Sequence, residues 1–205
     1  MEKKLNVLHI IKSMARGGAE VLLDETNQAH DHDKLSLSYL HFHDAEQNIA
    51  KSLRDQSITV HSLGLPKFYH LPLVLYKVIK IIKVNNHDLI HAHLPLSGVI
   101  AGLAAKFCKI PVVYTEHNVV NSYHPVTHIL NKITYRLNNS IIAVSNSVGD
   151  SIHKHYGISK KRIKVLTNGV NTNKYVNKSV EKNDKDKIQS HIVIGTVVVI
   201  SEQKR

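Results

Sequence analysis

LNVLHIIKSMARGGAE (5–20) joins an apolar run, Leu5 to Ile11, to a helical stretch starting near Ala19, with Arg16-Gly17-Gly18 between them. Two glycines where a buried strand feeds a helix remove the Cβ atoms that would keep a ligand off the backbone. They also leave the first N–H groups of the helix free to point at a phosphate or carboxylate, helped by the helix dipole. The same pair equally suits a plain tight turn, and the segment alone leaves both readings open. The spaced third glycine of a dinucleotide fingerprint is missing.

Outward from this stretch, β-branched runs at 5–11, 35–41, 58–63, 88–93, 111–115, 141–145, 163–166 and 192–200 alternate with helical patterns. The helices are predicted at 19–30, 48–55, 71–84, 97–107, 126–138 and 146–155. Several strands are continuous apolar runs, as expected of parallel strands covered on both faces. The alternation predicts a doubly wound, mostly parallel, Rossmann-like α/β sheet, with ligands at the carboxyl ends of the strands. Residues 1–175 read as one domain, the polar stretch VNKSVEKNDKDKIQS (176–190) as a linker, and 191–205 as the start of a second domain.

Composition narrows the function. A net charge of +11, with 16 histidines besides, favours anionic partners. Aromatics at 5% and the lack of tryptophan argue against stacking platforms for single-stranded nucleic acid, and no nucleic-acid motif is found. The single cysteine, Cys108, reads as a small core residue in a reducing compartment. The start, Met1 to Ile11, imitates a signal peptide, but Asn6, His9 and Lys12 interrupt it. No run approaches the ~20 apolar residues of a spanning helix. The reading is cytoplasmic, with peripheral contact to an anionic membrane through 71–84 as the less favoured of two readings of that helix. There Lys77, Lys80 and Lys83 recur beside Leu73, Val74, Ile79 and Ile82. An ordinary domain helix with a solvated lysine face is the competing reading.

The candidate site residues follow the strands. His91 and His93, two apart, share one face of a strand; a polar cluster is favoured over a metal site, since no further ligand follows at suitable spacing. Thr115-Glu116-His117-Asn118 must reach a surface or cleft, because four polar side chains are expensive inside. His117 suits a hydrogen bond to a sugar hydroxyl or an anion, or Glu116 and His117 pair on a loop. Ser145 or Ser147 can cap the next helix or contact a ligand across a cleft. Asn168-Gly169 suits a turn with positive φ.

The segments HIIKSMARGGAE (9–20), DLIHAHLP (88–95), VVYTEHN (112–118), IIAVSNSV (141–148) and IKVLTNGVNTNKY (163–175) resemble, in order, retaining GT-B glycosyltransferases of glycosyltransferase family 4. The resemblance implies an N-terminal, acceptor-side domain of an enzyme moving a sugar from a nucleoside diphosphate to an acceptor hydroxyl, a glycan or a lipid-linked one. It implies no metal and no cofactor, the NDP-sugar being a co-substrate. Gly17 and Gly18 then approach the donor diphosphate, and His117 is the catalytic histidine. His93, Glu116 and Ser145 line the cleft, and Asn168 leads towards the interdomain crossover. Lys204 matches a phosphate-binding lysine, while Val198 and Val199 stand where the family has Gly-Arg. The donor domain looks truncated, so the isolated chain is expected to be inactive. Two alternatives remain: a non-catalytic subunit completed by a separate donor-domain chain, and a GT-B-fold sugar-nucleotide epimerase.

Overall fold

The computed structural model describes residues 3–45, 49–65 and 71–175. Seven parallel strands form one sheet in the order β3-β2-β1-β4-β5-β6-β7. They are β1 (Leu5–Ser13), β2 (Leu35–His43), β3 (Val60–Ser62), β4 (Leu89–His93), β5 (Val112–Glu116), β6 (Ser140–Ala143) and β7 (Ile163–Val165). The helices between them are α1 (Gly18–Ala29), α2 (Ala50–Asp55), α3 (Leu71–Val84), α4 (Pro95–Cys108), α5 (Pro125–Thr134) and α6 (Asn146–Tyr156). The predicted α/β doubly wound fold is therefore the observed one.

The chain winds outward from β1 to β3, then crosses back to β4 and winds the other way. Right-handed crossovers consequently put α1 and α2 on one face and the later helices on the other. Two apolar layers record this. Val7, Ile11, Leu37 and Tyr39 pack with Leu23 of α1 and Leu53 of α2. Leu8, Ile10, Leu40, Ile90 and Ala92 pack with Val74, Val78 and Ile82 of α3 and Ile100 and Ala104 of α4. The winding reverses between β1 and β4, which is where a doubly wound sheet opens its binding crevice.

Element ends differ from expectation for local reasons. Helix α4 starts at Pro95, earlier than predicted, because proline at the first helical position needs no N–H partner. Helix α5 stops at Thr134, short of the predicted 138. Past it, the Arg162 guanidinium donates to the carbonyls of Tyr135 (3.3 Å) and Asn138 and so takes up the orphan acceptors.

The chain divides into two compact units, Met1–Gly169 and Val170–Arg205. Of the second, residues 170–175 carry a short 3-10 turn at Thr172–Tyr175. The predicted linker at 176–190, the strand at 192–200 and Lys204 lie outside the described residues.

Candidate functional site

Parallel pairing of β1 with β4 sets His9 opposite His91, and the period of two puts His93 on the same face. Three imidazoles thereby meet at the switch point. His9 Nδ1 lies 3.0 Å from His93 Nε2, and His93 Nδ1 lies 3.4 Å from Nε2 of His117, just past the end of β5. His91 Nε2 stands 2.8 Å from Thr115 Oγ1 on β5. His9 and His93 are buried, while His91 and His117 are half-buried. Burial pushes all four below the ordinary histidine value, His91 and His117 to about 4. They are neutral near pH 7, with lone pairs available.

The Gly17–Gly18 turn follows β1 and His117 follows β5, with β4 between these strands. Both therefore sit at the carboxyl edge of the sheet, as expected. The two glycines differ in what surrounds them. A Cβ on Gly17 would come within 2.3 Å of Glu20 Oε2, whereas one on Gly18 would meet nothing within 4 Å. Glu20 folds back over Gly17, the N-cap of α1, and its carboxylate covers the helix N-terminus. Burial raises its pKa, opposed by a hydrogen bond from its own backbone N–H. Leu94, between His93 and Pro95, takes φ 68 and ψ 155, a region otherwise left to glycine.

Glu116 departs from the expected cleft position. It is 0% exposed and points to the opposite face from His117, because successive residues of a strand alternate. Its carboxylate accepts from the hydroxyls of Tyr114 (2.8 Å), Tyr135 (2.5 Å) and Tyr123. It also accepts from the backbone N–H groups of His117 (3.0 Å) and Asn118 (3.2 Å). Burial raises its pKa while the tyrosine hydroxyls, which favour the ionised form, oppose the rise. Glu116 thus fixes the backbone that carries His117, without pairing with its ring. Ser145 caps α6, its hydroxyl accepting from the Val148 N–H at 3.2 Å. Asn168 is exposed on the loop after β7.

His9, Glu20 and the three tyrosines were missed as parts of this centre. Only His9 carried a signal, a polar residue in phase with Val7 and Ile11 on the buried face of β1.

The family model described as Glycosyltransferase Family 4 matches residues 7–174. The chain belongs to this family. Its fold is similar to that of GT-B glycosyltransferases. HepE of Anabaena, solved with UDP, aligns with a TM-score of 0.70 at 22% identity, over 83% of this chain and 46% of that one. WaaB, a lipopolysaccharide outer core galactosyltransferase, aligns with a TM-score of 0.67 at 15% identity, over 81% and 46%. The UDP-GlcNAc 2-epimerase of Methanocaldococcus jannaschii aligns at 0.58 and 14% identity, also over 81% and 46%. This family 4 chain thus spans less than half the length of these solved chains. Comparison with curated proteins finds no match.

Proposed function

We propose that the chain is the N-terminal, acceptor-side part of a retaining, nucleotide-sugar-dependent glycosyltransferase. The observation that carries this reading is the half-buried His117 ring at the same sheet edge as the glycine turn, beside the switch point. The N-terminus of α1 suits a diphosphate, and the glycines admit its oxygens to the backbone. Glu20 already covers that terminus, so donor binding moves or protonates its carboxyl. His117 bonds a hydroxyl of the sugar being transferred. The anomeric carbon leaves the diphosphate oxygen for the acceptor oxygen, and the acceptor's proton ends on the departing phosphate. HepE was solved with UDP and with UDP-glucose, which makes these the first ligands to try.

Titrating UDP-glucose into the isotope-labelled chain should shift the amides of Gly17, Gly18 and His117 first. In transfer assays with a donor-side chain added, His117→Ala should lower kcat ~10²–10³-fold. Shifts confined to other loops, or full turnover in the variant, would overturn the assignment. Activity restored by a separate donor-side chain would identify a subunit of a split enzyme.

Helix α3 is the candidate contact to an anionic membrane. It buries Val74, Val78 and Ile82 and exposes Leu73, Tyr76, Lys80, Lys83 and Val84. Among the described residues no helix is long and apolar enough to cross a membrane. The mixed basic and apolar outer face suits anionic headgroups. Co-sedimentation should favour anionic over neutral vesicles and weaken on Lys80→Glu/Lys83→Glu; equal binding to both vesicles would exclude it.

A further inference from the structure

His9, His93 and His117 meet end to end. The 3.0 Å contact between His9 and His93 goes with a ring-centroid separation of 5.3 Å and planes only 12° apart. That separation is the largest such a contact permits once both ring radii are included, so the rings lie edge to edge on one line. The contact between His93 and His117 reaches the same limit, 3.4 Å with centroids 5.7 Å apart. Each junction joins an Nδ1 to an Nε2, so the three rings run head to tail.

We propose that His9, His93 and His117 form one imidazole line with coupled proton positions, in which His9 and His93 are positioning residues that set the tautomer His117 presents to the cleft. A neutral imidazole has one N–H and one lone pair. If His9 Nδ1–H donates to His93, then His93 Nδ1–H donates to His117, whose own proton must sit on Nδ1. If His117 Nε2–H donates instead, both other protons reverse and His117 Nδ1 becomes an acceptor. A mixed arrangement would set two N–H groups or two lone pairs against each other at a junction and leave a buried group unsatisfied. Burial and the neighbouring imidazoles keep the line neutral.

The competing use of these side chains is a metal site, since ligand atoms of His9, His91 and His93 lie within 4.8 Å of one another. Two imidazoles on one zinc ion aim their lone pairs at a point about 2.0 Å from each. The His9 and His93 nitrogens face each other along a 3.0 Å line, whose midpoint is too close to both. That geometry shares a proton.

The consequence for substrate rests on the glycosyltransferase reading. A sugar hydroxyl donates or accepts and so satisfies His117 in either state. A phosphate oxygen accepts only, and fixes all three protons in one sense.

The test is a long-range proton–nitrogen NMR spectrum of the full chain labelled at histidine nitrogens, at pH 7. The line requires His9, His93 and His117 to share one tautomeric sense, which needs no variant. His9→Phe does not touch His117, yet should shift its tautomer ratio severalfold. Opposite senses in the wild type, or an unmoved His117 in a folded His9→Phe chain, would overturn the proposal. So would stoichiometric Zn²⁺ binding at equimolar metal that displaces the resonances of His9 and His93. Turnover enters none of these readouts, so failure of the line and failure of the transferase reading remain distinguishable.

Discussion

Alternate residues of β4 serve opposite faces of one sheet. Ile90 and Ala92 are 0% exposed within the apolar layer under α3 and α4, whereas His91 and His93 turn to His9 and Thr115. Strand β5 repeats the division, with Tyr114 and Glu116 on the first face and Thr115, followed by His117, on the second. On the face under α3 and α4 the Glu116 carboxylate is saturated by five donors. On the other face, polar side chains hold one another in a chain that ends at half-buried His117. A buried polar group that is fully satisfied supports structure; one with capacity left over is where a ligand can be met.

The largest test of this contrast is acid. The imidazole face has pKa values below the ordinary 6.5, so a falling pH protonates the unfolded chain first. The contribution of His91 and His117 is complete above about pH 6.5 and is lost between there and about pH 4, their value in the folded chain. At pH 5 each of these two accounts for about 2 kcal/mol. Glu20 and Glu116, with raised values, contribute in the opposite sense as the pH falls and offset part of it. Urea midpoints should fall clearly between pH 7 and pH 5; unchanged midpoints would mean the imidazoles are solvated.

Glu116→Ala comes next. It strands the hydroxyls of Tyr114, Tyr123 and Tyr135 and should destabilise by about 3–5 kcal/mol in urea unfolding. His117→Ala should change stability by about 1 kcal/mol or less, and equal losses in the two variants would erase the distinction between the faces. Gly98→Ala drives a methyl to within 2.5 Å of the Tyr114 ring and should cost about 1–3 kcal/mol. Ser145→Ala removes the α6 cap and should cost about 1 kcal/mol, without altering UDP binding if capping is its only role.

Periodicity made the fold legible. Apolar runs of strand length alternating with helical patterns admit few arrangements, and the elements within the described residues formed near their expected places. The carboxyl-edge position of Gly17, His93 and His117 followed from that topology. Glu116 was misplaced because a run of four polar residues gives no hint that three distant tyrosines will gather around one of them. His9 was overlooked as a partner because the register of β1 against β4 is set only on folding. Glu20 reads as an ordinary helix residue until the missing Cβ of Gly17 leaves room for its carboxylate.

Leu94 shows what the sharp exit from β4 asks of heredity. Its backbone conformation carries about 1–3 kcal/mol of strain that glycine would relieve. Its side chain, packed against the layer under α1 and α2, returns a comparable amount in apolar burial. Scanning glycine through 90–94 should therefore produce steep losses of melting temperature at Ile90 and Ala92 and almost none at Leu94. Selection for stability alone leaves that position free to drift between two very different residues, and only a need to hold the neighbouring ring of His93 in line would keep a leucine there.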